Sequence, residues 1–227
     1  MSVWAVLAAA GSGERLGIDR PKAFAPLGGR PLLATSIERL DASDWIDGIV
    51  VAAPPEWEEP SILVAEEVSA GKVGSTVTGG ATRAESVRAA VAAVPDEAVV
   101  IVVHDAARPF VSDDVLERVL APLGEGWEGA VPAVPLADTI KRVRADEVIE
   151  TLDREELVAA QTPQAFRADV LRTALGGDVA GATDCAALVE AANGRVKVVP
   201  GDALLFKVTS EADLALAERL VQAAAAS

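Results

Sequence analysis

The sequence predicts an α/β fold in which a mostly parallel sheet is covered by helices on both faces. Three observations point there. Short uncharged runs rich in valine, isoleucine and alanine recur along the chain. Longer stretches with charges at helical spacing separate them. The apolar runs are near-continuous, the pattern of strands buried on both faces, where half-exposed strands alternate. At 227 residues the chain suits one domain with a substantial core, and a single domain over 1–227 is expected.

The elements follow in order. Trp4–Ala9 is the first strand. Its neighbourhood, Val3 to Ala10, has the length of a signal-peptide core but no positively charged leader, so it reads as a buried strand entering a glycine loop. Helices are expected over Leu32–Leu40, Glu56–Ala70 and Thr82–Ala93, and strands over Gly48–Ala53, Val73–Thr78 and Ala98–Val103. Residues 137–151 (ADTIKRVRADEVIET) break the alternation. Two short polar-alternating runs flank a charged turn near Ala145–Asp146, which predicts a hairpin. Both its faces are polar and an isolated hairpin is marginal in water, so a protruding arm, covered by this domain or by a second copy of the chain, is expected. A strand around Ala160–Phe166, a helix from Arg167, a helix over Asp184–Ala192, strands at Val196–Pro200 and Leu204–Val208, and a helix from about Glu211 to Ala224 complete the reading. The end, Ala223–Ser227, is expected to fray.

Charge narrows the partners. The chain has 20 Lys+Arg against 35 Asp+Glu, a formal net charge of −15. A nucleic-acid binder needs a basic face to displace counterions, and anionic membranes repel the same charge, so neither partner is expected. The mean hydropathy of +0.30 comes from dispersed alanine and valine, and no uncharged run approaches the ~20 residues of a spanning helix. Cys185 is the one cysteine and His104 the one histidine, which excludes an intramolecular disulfide and cysteine- or histidine-rich metal sites. A cytoplasmic protein is the simplest reading.

The sharpest local feature follows the first strand: Ala8-Ala9-Ala10-Gly11-Ser12-Gly13-Glu14-Arg15-Leu16-Gly17, then Arg20-Pro21-Lys22. Small residues let backbone N–H groups curl around an anion, and three basic residues follow in one loop. It is not a Walker A loop, because no Gly-Lys-Ser/Thr follows. Nor does a dinucleotide fingerprint fit, because the second strand ends Ala52-Ala53-Pro54 with no acid for a ribose hydroxyl.

This loop, Gly79-Gly80 with Arg83 to Val87, His104-Asp105-Ala106-Ala107-Arg108-Pro109, Asp138-Thr139-Ile140-Lys141, Leu152-Asp153-Arg154, Gln161-Thr162-Pro163-Gln164, Thr183-Asp184, and Phe206-Lys207-Val208-Thr209 with Asp213 to Glu218 stand in one order along the chain. Together they resemble the sugar-nucleotide-forming nucleotidyltransferases, and within them the 2-C-methyl-D-erythritol 4-phosphate cytidylyltransferase family. The resemblance implies a Rossmann-like three-layer nucleotidyltransferase fold with a β-hairpin dimerisation arm. It implies cytidylyl transfer from CTP to a sugar phosphate with release of pyrophosphate, with Mg²⁺ as cofactor. A phosphomonoester, with its second pKa near ~6, is already dianionic at neutral pH, so no general base is needed, and fixed cations aimed at the α-phosphorus lower the barrier.

By the same resemblance Arg15, Lys22 and Lys207 are the expected catalytic cations. The CTP site is expected from Ala9, Ala10, Gly11, Gly13, Gly80, Arg83, Ser86 and Asp105, and the sugar-phosphate site from Arg108, Thr139, Arg154 and Thr162. Asp105 is also the candidate metal contact, with Mg²⁺ held mainly by the CTP phosphates. The family pattern places Thr139 and Arg154 on or near an arm that reaches the neighbouring subunit, implying a homodimer with shared sites. Arg15, Lys22, Arg108, Arg154 and Lys207 are thus expected to converge as a cationic pocket inside an acidic shell. The alternative is a cytidylyltransferase for ribitol 5-phosphate or a related polyol phosphate, which Asp138 to Lys141, Leu152 to Arg154, and Ala107 before Arg108 disfavour. Two positions depart from the family pattern: Cys185 replaces an acidic residue after Thr183-Asp184, and Ala81 stands where a polar residue is usual. Plainer roles are expected elsewhere. His104 should be a packed strand-end residue, Arg142 and Arg144 solvated hairpin charges, Asp184 and Asp213 helix-start carboxylates, and the tryptophans packing or rim residues.

Overall fold

A computed structural model describes residues 2–13 and 16–225. The elements in chain order are β1 (Val3–Ala8), the short strands β2 (Pro26–Leu27) and β3 (Arg30–Pro31), α1 (Leu32–Asp41), β4 (Gly48–Ala53), α2 (Glu58–Glu67), β5 (Val73–Thr78), α3 (Arg83–Ala92), β6 (Val100–Asp105), α4 (Asp113–Gly124), β7 (Gly129–Pro135), β8 (Lys141–Arg144), β9 (Glu147–Thr151), β10 (Val158–Ala160), β11 (Gln164–Arg167), α5 (Ala168–Leu175), α6 (Cys185–Ala191), β12 (Val196–Pro200) and α7 (Glu211–Ala225). The main sheet has eight strands. β1 lies between β4 and β6, parallel to both, and β5 continues in parallel outside β4. On the other side β11 runs antiparallel to β6 and β7, β10 is antiparallel to β7, and β12 is parallel to it. The mostly parallel sheet read from the apolar runs is therefore present.

Alternation along the strands builds the three layers. Ala5 and Leu7 of β1 join Ile49, Val51, Val100 and Val102 in a core shared with Ile37, Leu40 and Val119 of α1 and α4. Val6 joins Val50, Ile101 and Val103 on the opposite face with Val87, Leu171 and Val189 of α3, α5 and α6. A third, smaller core packs Leu27, Leu32 and Val208 against Ala217 of α7.

Three departures from the sequence reading have physical causes. The stretch between β6 and the hairpin, for which the sequence reading has no element, forms α4 and β7; Pro122 sits inside α4 and Pro132 inside β7, interrupting both periodicities. The expected strand over Ala160–Phe166 is broken into β10 and β11. Gln161 donates its N–H to the Pro132 carbonyl at 2.7 Å, but Pro132 has no N–H to return along that edge, and the gap holds the cis Thr162–Pro163 peptide. Leu204–Val208 is not a strand. Asp202 caps a short 3₁₀ turn there by accepting the Leu204 N–H at 2.8 Å.

The hairpin forms as expected, with β8 and β9 antiparallel around a turn at Ala145, where φ is 50°. Every residue from Lys141 to Thr151 is exposed. Arg142 pairs with Glu150 at 3.2 Å across it, and Val143, Val148 and Ile149 are 59%, 56% and 44% exposed.

Candidate active site

β1 is the topological switch point of the sheet: the chain moves outward to β4 and β5 on one side and returns to β6 on the other. Ligands of open α/β sheets sit beyond the carboxyl ends of the strands at such a point. A cavity of about 580 Å³ lies there. It is formed by the loop after β1, the loop before α3, the end of β6 and the segment before α7.

The loop after β1 folds back on itself, with the Lys22 N–H donating to the Gly11 carbonyl at 3.1 Å. Gly13 makes this return possible. Its φ is 82°, and a Cβ would lie 3.0 Å from the Lys22 nitrogen, so a side chain would meet both backbone strain and a clash. Lys22 thereby faces the cavity from one wall. Opposite, Thr82 and Glu85 form a capping box that starts α3. The Ser86 hydroxyl donates to the Thr82 carbonyl at 2.8 Å and accepts the Gly80 N–H at 3.1 Å, fixing the glycine turn.

Asp105 ends β6 and carries the electrostatics. Arg83 approaches its Oδ1 through Nε at 2.9 Å and Nη2 at 2.8 Å, while Lys207 Nζ donates to Oδ2 at 2.7 Å. Burial opposes ionisation of Asp105, but the guanidinium and ammonium beside it outweigh burial and hold its carboxyl well below the usual carboxylate range. Arg83 also reaches Cys185 Sγ through Nη1 at 3.8 Å; burial pushes that thiol up to about 11, against the nearby guanidinium. Cys185 therefore stays a neutral neighbour of Arg83.

The expected CTP residues Ala9, Ala10, Gly11, Gly13, Gly80, Arg83, Ser86 and Asp105 all line this cavity, as do Lys22 and Lys207. Arg15 lies outside the described residues. The expected sugar-phosphate residues are placed differently, none of them among the lining side chains. Arg108 sits behind the Asp105 turn and donates through Nη1 to the Leu205 carbonyl. Thr162 is buried, and its hydroxyl accepts the Asp105 N–H at 3.0 Å and lies 3.2 Å from His104 Nδ1. Thr139 is exposed, and the exposed Arg154 donates to the Ala137 carbonyl at 2.6 Å at the foot of the arm. Of the four expected cations within the described residues, Lys22 and Lys207 line this one cavity, as does Arg83.

Three roles are not readable from the sequence. Gln161 clamps the backbone of Asp202 from both sides, its Nε2 donating to the carbonyl at 2.8 Å and its Oε1 accepting the N–H at 3.0 Å. That clamp holds the segment leading to Lys207. Gln164 donates to Asp184 Oδ2 at 2.8 Å, and Asp184 caps α6 through the Ala187 N–H at 2.9 Å, which sets Cys185 beside Arg83. Thr209 lines the cavity next to Lys207; its hydroxyl and N–H donate to Asp213, and although burial opposes it, these bonds bring that carboxyl down to about 2. The paired polar residues at 161, 164 and 184 are visible as motif letters, but nothing in their spacing shows what they touch.

Among the described residues no group of three or more His, Cys, Asp or Glu side chains gathers to hold a metal. Asp105 is the one carboxylate among the described residues that line the cavity. Both Asp105 oxygens are taken by Arg83 and Lys207, so Asp105 fits a hard cation only where Lys207 is displaced and the other ligands come from phosphate and water.

The family model for IspD, 2-C-methyl-D-erythritol 4-phosphate cytidylyltransferase, matches residues 3–223. A 2-C-methyl-D-erythritol 4-phosphate cytidylyltransferase of Nocardia farcinica is 45% identical over 226 residues, covering 99% of this chain and 96% of the relative. Another from Frankia casuarinae is 46% identical over 220 residues, 96% of this chain and 81% of the relative. Among solved structures, the 2-C-methyl-D-erythritol 4-phosphate cytidylyltransferase of Thermus thermophilus has a TM-score of 0.77 at 34% identity, covering 98% of this chain and 100% of that one. The 4-diphosphocytidyl-2C-methyl-D-erythritol synthase of Anaerococcus prevotii has a TM-score of 0.83 at 26% identity, with 97% and 98% covered. The family model spans nearly the whole chain, and the chain belongs to the 2-C-methyl-D-erythritol 4-phosphate cytidylyltransferase family.

Proposed function

We propose that this chain transfers the cytidylyl group of CTP to 2-C-methyl-D-erythritol 4-phosphate, giving 4-diphosphocytidyl-2-C-methyl-D-erythritol and pyrophosphate for isoprenoid precursor synthesis in the cytoplasm. The observation that carries the reading is a cavity at the sheet's switch point that is lined by Lys22 and in which Arg83 and Lys207 pair with Asp105, in a chain whose net charge is −15.

The chemistry follows from that arrangement. The phosphate oxygen of the acceptor attacks the α-phosphorus of CTP, the bond to the bridging oxygen breaks, and the electron pair leaves with pyrophosphate. Lys22, with Arg15 on the same loop, is assigned to the triphosphate and the charge that develops on it. Lys207 is assigned to the α-phosphate and the incoming phosphate, leaving Asp105 as anions enter. Backbone groups of Ala9, Ala10 and Gly80, with Gly80 fixed by Ser86, are assigned to the base and ribose; carbonyls facing the exocyclic amine would select cytosine over uracil. Asp105 would be the one protein carboxylate to hold a Mg²⁺ arriving with CTP, and the chemistry supplied there would be withdrawal of charge from the leaving group.

Thr139 and Arg154 are assigned to the acceptor site of a second subunit. The arm's exposed valines and isoleucine and its lack of a core of its own support a homodimer in which arms are exchanged. Pyrophosphate release from CTP with each acceptor tests the function. Turnover with 2-C-methyl-D-erythritol 4-phosphate is expected, and turnover with ribitol 5-phosphate alone would overturn the assignment.

A further inference from the structure

His104 faces away from the cavity and is wholly buried, yet both ring nitrogens are engaged. Nε2 lies 3.0 Å from the Arg108 carbonyl, which only accepts, so Nε2 carries the hydrogen. Thr162 Oγ1 accepts the Asp105 N–H, which leaves its own hydrogen for His104 Nδ1 at 3.2 Å. One directed chain results: Asp105 N–H to Thr162, Thr162 O–H to His104, His104 N–H to the Arg108 carbonyl. It leaves no place for a second ring proton, which would confront the Thr162 oxygen and displace its hydrogen.

What the chain spans gives it meaning. Asp105 to Arg108 is a tight turn closed by the Arg108 N–H on the Asp105 carbonyl at 2.9 Å. His104 braces both ends of this turn, one through Thr162 and the other directly. The Asp105 carboxylate leads from one end to Arg83 and Lys207. From the other end the Arg108 guanidinium leads to the Leu205 carbonyl, two residues before Lys207.

We propose that His104 is a positioning residue for the acceptor phosphate, its neutral Nε2–H ring setting the spacing of Asp105, Arg108, Thr162 and hence Lys207. The proposal rests on the function proposed above. It predicts an asymmetry between substrates, because the brace bonds Thr162 and Arg108, both assigned to the acceptor, and meets the CTP residue Asp105, whose carboxylate stays held by Arg83 and Lys207, only at its backbone N–H.

Two substitutions separate the two bonds. His104→Asn keeps an acceptor near Nδ1 and lacks the donor to Arg108, whereas His104→Gln reaches Arg108 and lacks the acceptor for Thr162. Leaving one buried partner unpaired is worth about a tenfold change, so each variant should raise KM for 2-C-methyl-D-erythritol 4-phosphate about tenfold and leave KM for CTP within about twofold. In the wild type, ¹⁵N-histidine NMR at neutral pH should show the Nε2–H tautomer; with a single histidine in the chain, its signals need no assignment. An Nδ1–H tautomer, or both KM values rising together, would overturn the proposal. So would an active wild type whose acceptor KM is unmoved in both variants. A wild type inactive on this acceptor would instead overturn the proposed function.

Discussion

Replacing Asp105 with asparagine removes one negative charge from between two cations while nearly preserving volume. The inner partner is Arg83, whose side chain is 22% exposed and approaches Oδ1 at 2.8 Å. Stripping such a guanidinium of its counter-charge costs about 3 kcal/mol. Lys207 is 37% exposed, so water replaces most of what it loses, and it adds at most about 1 kcal/mol. The expected loss is about 3–4 kcal/mol. With an m-value of about 3 kcal/mol/M in urea, the unfolding midpoint of Asp105→Asn should fall by about 1 M at pH 7. The pH dependence supplies a second check. The folded pKa of Asp105 is depressed, so its stabilisation is complete above the unfolded carboxylate pKa of about 4 and is lost as pH falls below it toward the folded value. The gap between wild type and variant should therefore narrow below about pH 4. A midpoint within about 0.2 M of wild type at pH 7, or a gap that stays constant to pH 3, would refute the account of this ion cluster.

Other outcomes follow from the same geometry. Lys22→Ala should lower kcat at least ~100-fold, the scale of deleting one charge-stabilising group, and unchanged steady-state turnover would defeat its assignment. Mixing Lys22→Ala with Arg154→Ala subunits should recover activity that neither homodimer has, by placing an intact arm over an intact loop; no recovery in isolated heterodimers would mean the arm does not cross. His104, held to about 4 when folded and about 6.5 unfolded, stabilises fully above the higher value and progressively less as pH falls between them. Wild type should lose about 3 kcal/mol more than His104→Gln across that window, and parallel stability curves would count against a neutral buried ring.

The strands that are legible in the sequence are those with nothing to interrupt them. β1 and β4 carry uncharged runs from end to end and β6 carries one up to Asp105, and their alternate side chains fill opposite layers. β7 escapes notice because Pro132 and Pro135 sit within it, and the run Leu204–Val208 misleads because Asp202 diverts it into a turn. The nucleotide half of the candidate site is legible for a related reason: in each of its two glycine loops a basic residue sits within a few positions of the glycines, and each loop folds into a wall of the cavity. The acceptor half is split between a buried turn and an exposed arm, so its residues share no cavity in one chain. The ion cluster has no local sign, since Arg83 stands 22 residues before Asp105 and Lys207 stands 102 after it.

That last separation bears on how the protein comes to be functional. The contact between Asp105 and Lys207 closes a loop of 102 residues, at an entropic cost of about 4 kcal/mol beyond what local structure needs. It also bridges the two halves of the chain, because Lys207 reaches Asp105 only after β10, β11 and β12 have joined the sheet. A folding intermediate with β1, β4 and β6 already paired would have a native-like parallel sheet and the glycine loop, but no Lys207 opposite it. Nucleotide affinity should therefore develop last during refolding, later than helical signal or core burial, and should serve as a kinetic reporter of the final docking step.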